Sequence, residues 1–198
     1  MELTARRATA ADGDEVTNIV ALAFANDPLW SKTLARADGR TDHHDAYWRF
    51  IVDSALRYPE TWIAGAGEAA AVWIPPGGID MSAEQEQRLV EFVVERLGPR
   101  ADNWMELVTR FGGAHPRDEP HYYLTLLATH PSHRGRGIGM GLLAHNLAII
   151  DGQHLPCYLE SSNPANDDRY ARLGFEAIGA IEDPAGGPSV ATMWRTAR

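Results

Sequence analysis

The chain has 198 residues, of which 44% are hydrophobic and 23% charged, a composition that suits one globular domain with a substantial core. Its net charge of -9 argues against nucleic acid or an anionic membrane as the main partner, and its lone cysteine, Cys157, excludes an internal disulfide framework. No apolar run approaches the ~20 residues of a membrane span, and the opening MELTARRATAADGDE lacks the apolar core of a signal peptide, so the expected compartment is cytoplasmic.

Leu3 to Thr9 reads as a short edge strand. Asp12 is placed to cap a helix carrying Val16, Ile19, Val20, Leu22, Ala23 and Phe24 at helical spacing, which Asn26-Asp27-Pro28 stops. Leu29 to Arg40 shows no periodicity and reads as irregular. Asp42 to Tyr58 forms a second helix. Thr61–Ala66 and Ala69–Ile74 form a hairpin through Gly65-Ala66-Gly67-Glu68, and Pro75-Pro76-Gly77-Gly78 breaks the chain. Ser82 starts a long helix with Glu84, Gln85 and Glu86 in its first turn, ending at Gly98-Pro99. A further helix spans Asp102 to Phe111, and a polar loop from Gly112 to Pro120 leads into an apolar strand, Tyr122 to Thr129. After a glycine turn come a helix with Met140, Leu143, Leu147 and Ile150, a strand from Pro156 to Glu160, and a capped helix. Closing strands lie near Phe175–Ile181 and Val190–Arg195. The order β-α-α-β-β-α-α-β-α-β-α-β-β implies an α/β layered sheet in one domain over residues 1–198.

The turn between the Tyr122–Thr129 strand and the following helix carries the clearest chemistry. It reads Arg134-Gly135-Arg136-Gly137-Ile138-Gly139. A strand, a glycine turn and a helix N-terminus in that order form a site for a phosphorylated ligand. Glycines allow close backbone approach, the first-turn N–H groups are free, and the helix dipole favours negative charge. Arg134 and Arg136 add fork-shaped phosphate donors. No Lys-Ser or Lys-Thr follows, which excludes the Walker pattern, and Met140 stands where the third glycine of a dinucleotide fingerprint belongs.

A second block runs from Glu160 to Phe175. Asn163 is a helix cap, Pro164 suits the first helical position, and Gly174 fits a left-handed stop. Asn166 and Tyr170, four apart, share a face. The first block has the form [QR]-x-x-G-x-[GA], and the second ends in Tyr-x-x-Leu-Gly-Phe. Together they resemble the two signatures of the GNAT superfamily of acyl-CoA N-acyltransferases. A narrower likeness, to puromycin N-acetyltransferase and its actinobacterial relatives, rests on Phe24, Pro28, His115 to Pro120 and Leu159 to Ser162; it is strong from about Glu119 to Phe175.

The resemblance implies a mixed, mostly antiparallel GNAT-type sheet with helices on both faces. Its central parallel pair, Tyr122–Thr129 and Pro156–Glu160, would splay to admit acetyl-CoA as co-substrate. The cofactor-binding residues it implies are Leu127, Ala128, Thr129, Arg134, Gly135, Arg136, Gly137, Ile138, Gly139, Met140, Asn166 and Tyr170. The catalytic candidates are Tyr170, as acid for the leaving thiolate, and Glu160, as base or holder of the acceptor amine, with ordered water the alternative base and Glu119 a weaker candidate. Leu29 to Gly113 would hold much of the acceptor pocket. The acceptor expected is the amine of a small molecule, antibiotic-like compounds included. A peptide or protein amine, and a non-catalytic acyl-CoA sensor, remain alternatives. A monomer or homodimer, without nucleic acid or membrane, is expected. No metal site is read: His130 and His133 flank a proline turn instead of sharing a helix face. Cys157 reads as inert core.

Overall fold

The computed structural model describes residues 3–198. Strand β1 (Ala5–Arg7) leads through a short turn to helix α1 (Gly13–Phe24). The expected cap, Asp12, makes no bond to that helix. Its Oδ2 accepts from the Thr9 amide and hydroxyl at 2.7 and 2.9 Å, and its Oδ1 from Arg6 at 2.8 Å. The stretch expected to be irregular contains a short helix, α2 (Trp30–Thr33). Its cause is local: Asp27 Oδ1 accepts from the amides of Leu29 and Trp30 at 3.0 and 3.1 Å, with Pro28 at a position where no N–H is needed. Helix α3 (His44–Ala55) follows.

Strands β2 (Thr61–Ala64) and β3 (Ala69–Ile74) form the expected hairpin, with Gly65 and Gly67 at φ +58° and +87° in its turn. Both strands are buried throughout, as a sheet covered on both faces requires. Helix α4 (Ala83–Leu97) starts in a reciprocal cap: Ser82 Oγ accepts from Gln85 N–H at 3.2 Å, and Gln85 Oε1 from Ser82 N–H at 3.0 Å. Then come α5 (Ala101–Ala114), β4 (Tyr122–Thr129), α6 (Ile138–Asp151), β5 (Cys157–Ser161), α7 (Asp167–Ala171), β6 (Glu176–Ile181) and β7 (Val190–Arg195).

The described strands make one sheet in the order β1-β2-β3-β4-β5-β7-β6. Only β4 and β5 run parallel; every other neighbouring pair is antiparallel. One face packs on α1, α3, α4 and α5 through Val16, Val20, Trp48, Val52 and Val93. The other packs on α6 and α7 through Leu142, Leu143, Leu147 and Tyr170. The Trp73 indole donates to Asn146 Oδ1 at 3.1 Å, fixing α6 over β3. Arg195, 3% exposed, makes a two-pronged pair with Asp151 at 2.6 and 2.8 Å, joining β7 to the end of α6. No described helix is long and apolar enough to cross a membrane.

One irregularity sets up the site. Val72 pairs with Leu126 but Trp73 with Leu124, so Thr125 is an extra residue in β4. A bulge reverses the side-chain alternation beyond it. Tyr122 and Leu124 accordingly pack on the α6 side, while Leu126 and Ala128 pack on the α1 side. The register with β5 runs Tyr122↔Cys157, Tyr123↔Tyr158, Leu124↔Leu159 and stops at the bulge. Residues 125–129 of β4 therefore have no strand partner on that edge, which is the expected splay.

Candidate active site

The opening between β4 and β5 continues into a cleft of about 730 Å³. Its ligand-facing half is built by the turn into α6. Gly135 and Gly137 both hold φ +76° with open space where a side chain would sit. No side chain caps α6, and its first helical bond runs from Gly141 N–H to Gly137 C=O. The amides of Ile138, Gly139 and Met140 thus precede the helical ladder and are available to an anion. Gly139 meets a different demand: a Cβ there would overlap Thr129 Oγ1, so glycine brings α6 down onto the end of β4.

Of the residues implied from sequence, Leu127, Thr129, Arg134, Gly135, Gly137, Ile138, Gly139, Met140, Glu160, Asn166 and Tyr170 line this one cleft. Two do not. Ala128 is buried on the α1 side, and its backbone groups face β3, in phase with the His130 N–H that bonds Glu68 C=O. Arg136 turns away: its guanidinium lies 2.8 Å from His133 Nδ1 and 3.6 Å from Glu68. Arg134 stays at the cleft while donating to Ala23 C=O at 2.7 Å. Asn166 Oδ1 accepts from Arg169 at 3.0 Å.

Tyr170 is 9% exposed, and burial raises its pKa, so the phenol is protonated at neutral pH. Glu160 sits one residue past the last β4–β5 pair, with its side chain 5% exposed. Burial pushes its pKa up to about 8, against a smaller downward pull from the Tyr123 and Tyr158 phenols, with the Asp80 charge adding to the rise. A carboxyl poised near neutrality, opening onto a cleft, can accept a proton from an amine.

The far half of the cleft is aromatic. Trp30 lies parallel to Phe111, ring centres 6.2 Å apart, and edge-on to Trp48 at 5.3 Å; Phe24 packs on Trp48 at 4.8 Å. The Trp104 indole donates to Tyr47 OH at 3.1 Å. Asp80 and Glu86 are the carboxylates of this half besides Asp27, which is occupied by α2 and Ser162. Sequence reasoning placed the acceptor pocket in Leu29–Gly113 but assigned none of these side chains to it. Trp30, Tyr47, Trp48 and Trp104 sit on helices whose apolar positions read equally well as core.

Residues 83–177 match the family profile described as Acetyltransferase (GNAT) domain. A Corynebacterium glutamicum structure described as histone acetyltransferase HPA2 and related acetyltransferase is 26% identical, with a TM-score of 0.68 covering 100% of this chain and 98% of that one. Drosophila melanogaster polyamine N-acetyltransferase is 17% identical, TM-score 0.69, covering 98% and 100%. The NatC complex bound to Gag peptide and CoA is 15% identical, TM-score 0.57, covering 100% of each chain. The last two show the fold alone; the profile match and the Corynebacterium structure make it the GNAT fold.

Proposed function

We propose that this chain, an acyl-CoA-dependent acetyltransferase with a GNAT domain, works over its whole length as one unit and moves the acetyl group of acetyl-CoA to the amine of a small molecule. The observation that carries this reading is the β4–β5 gap: it meets the uncapped start of α6 on one side and the buried Glu160 on the other.

The pyrophosphate rests on the amides of Ile138, Gly139 and Met140, with the turn glycines Gly135 and Gly137 letting it approach and Arg134 adding charge. Arg136 contributes at most by balancing Glu68 beneath the turn. Pantetheine lies along the free edge from Leu127 to Thr129, where the Leu127 and Thr129 amides, alternate along the strand, face the gap and polarise the acetyl carbonyl. Asn166 bonds the cofactor from the turn just ahead of α7. The amine nitrogen attacks the carbonyl carbon. The N–C bond forms, the amine proton goes to the Glu160 carboxylate, and the C–S bond then breaks. Tyr170 faces the leaving sulfur. Because burial raises the phenol above its ordinary pKa of about 10, against about 8.5 for a thiol, it serves first as a hydrogen-bond donor to the thiolate. Proton transfer from it is uphill, so the thiolate leaves with that hydrogen bond and takes its proton from water once released.

Trp30 stacked on Phe111, with Trp48 edge-on and carboxylates nearby, suits an amine carried on a flat, apolar body, a class that includes amino-nucleosides. The test is acetyl-CoA-dependent thiol release with tryptamine, puromycin, agmatine, spermidine and short peptides, beside acetyl-CoA calorimetry. Turnover confined to flat amines supports the reading. Preference for peptides would transfer it to a protein acceptor. Tight binding without turnover on any amine would make the chain an acyl-CoA sensor.

A further inference from the structure

His115 directly follows α5 and His121 directly precedes β4, and acetyl transfer as described uses neither. Their Nε2 atoms are 3.1 Å apart. His121 Nδ1 lies 2.7 Å from the Glu119 carbonyl oxygen. A carbonyl only accepts, so His121 Nδ1 carries the hydrogen and its neutral ring offers a lone pair at Nε2. His115 must then donate from its own Nε2, which leaves a lone pair on Nδ1. That atom is 3.9 Å from Glu160 Oε1. One backbone carbonyl thus fixes both tautomers, and the chain of atoms runs in one direction from Glu160 outward.

The surroundings hold this line in place. The His115 ring packs edge-on to Tyr123 and Tyr158, with centres 4.8 and 4.9 Å away, the same two tyrosines that face Glu160. His121 packs on Trp194 at 5.1 Å. Beyond them is a second cavity of about 460 Å³, lined by both histidines, Arg117 and the Pro75–Gly78 turn. With pantetheine in the gap and an acceptor against the indoles, the cleft side of Glu160 is covered by substrates, and a proton on its carboxyl has no water to leave by.

We propose that His115 and His121 form a side-chain relay that carries the amine proton from Glu160 to the second cavity. It rests on the reading of Glu160 as base. A rotation of Glu160 closes the 3.9 Å gap, a tightening expected when substrates bind. The Glu160 O–H bond breaks as His115 Nδ1–H forms. His115 Nε2–H breaks as His121 Nε2–H forms, and the cationic His121 then releases its Nδ1–H from the Glu119 carbonyl and loses that proton to water of the second cavity. No electrons change hands, and exchange with water restores the resting tautomers. Burial, then positive charge at Arg117 and at His121 when it is protonated, hold the His115 pKa down to about 4, so transfer from Glu160 is uphill and this ring holds the proton only in passing. The groups facing the relay are Glu160, Tyr123, Tyr158, Arg117 and, beyond the tyrosines, Asp80.

The experiment uses the full chain and the His115→Gln, His121→Gln and Glu160→Gln variants. Single-turnover acetylation of tryptamine, or of whichever panel amine turns over, is followed in dilute buffer and with added imidazole. Both histidine variants should lose roughly tenfold in rate at unchanged acetyl-CoA affinity, and imidazole should restore His121→Gln more than His115→Gln. Wild type should ignore imidazole. Undiminished histidine variants, or a loss that imidazole leaves untouched, overturn the relay. A fully active Glu160→Gln removes the base reading instead. Imidazole nitrogen shifts give an answer that needs no acceptor: a free enzyme with His115 protonated at Nδ1 refutes the relay directly.

Discussion

Ser162 Oγ donates to Asp27 Oδ2 at 2.8 Å, a bond between residues 135 positions apart. The other oxygen of Asp27 caps α2, which carries Trp30. One buried carboxylate therefore ties the aromatic wall of the cleft to the loop that follows Glu160. Asp27→Ala removes both attachments. Loss of the cap alone is worth about 0.5–2 kcal/mol. The variant should melt earlier and show a raised KM for the amine, while acetyl-CoA affinity by calorimetry stays within error. An unchanged amine KM would mean that Trp30 does not shape the acceptor site.

Gly137→Ala and Gly139→Val test the cradle from two sides. At Gly137 the obstacle is φ +76°, a strain of about 1–2 kcal/mol for an L side chain. At Gly139 the obstacle is Thr129, so a side chain lifts α6 off the strand edge. Both should weaken acetyl-CoA at least about tenfold, equal to about 1.4 kcal/mol, in calorimetry. Arg136→Ala should weaken it far less, because that guanidinium is held by His133 and Glu68. An equal loss for Arg136→Ala would place it on the phosphates after all.

Tyr170→Phe keeps the ring and removes the hydroxyl. Turnover should fall by roughly a hundredfold, near the lower end of general acid–base contributions, with acetyl-CoA affinity preserved. A thioester with a more acidic leaving thiol should narrow the gap between variant and wild type. If the gap is independent of the leaving group, the phenol does not act on sulfur.

Asp151→Ala strands the Arg195 guanidinium, which is 3% exposed, without its partner. Breaking a fully buried pair from one side costs about 3–5 kcal/mol; with Asp151 28% exposed the cost here is smaller, and it is measurable as a lower urea midpoint. Pairing with Arg195 holds the Asp151 pKa below its ordinary value. Its contribution to stability is therefore complete above that ordinary value of about 3.9 and is lost as pH falls through the depressed one. The wild-type advantage should shrink on acidification. A constant difference down to strongly acidic pH would contradict the pairing.

The cofactor side of the cleft was legible because its signals are local: a glycine turn, a helix start without a cap, and the Asn163 cap are written within four or five residues. The rest depends on distant partners. The bulge at Thr125 lies inside Tyr122–Thr129, a run so uniformly apolar that no break in alternation marks it, although it decides where β4 and β5 part. Helix α2 did have a local sign, Asp27 followed by Pro28, which reads as a helix stop or a helix start with equal ease. That β7 lies between β5 and β6 follows from pairing and not from hydrophobic pattern. The position of Glu160 at the strand end was readable; its burial was not, because Tyr123 and Tyr158 cover it from two strands. His115 and His121 fell at the edges of a stretch that reads only as a polar loop.

The central claim is that Glu160, held neutral by burial until about pH 8, is the base for the amine. The most direct measurement is the pH dependence of single-turnover acetyl transfer by wild type and Glu160→Gln, with thermal stability followed alongside. Wild-type rates should climb through about pH 8 as the carboxyl ionises, and Glu160→Gln should lose roughly a hundredfold to ten-thousandfold and the climb with it. Because the folded pKa is raised, the stability it confers is complete below the ordinary carboxyl value and lost as pH rises through about 8. The glutamine variant should therefore melt higher than wild type at pH 9, with the difference closing toward acid. A Glu160→Gln enzyme that keeps its rate and its pH profile would contradict the account.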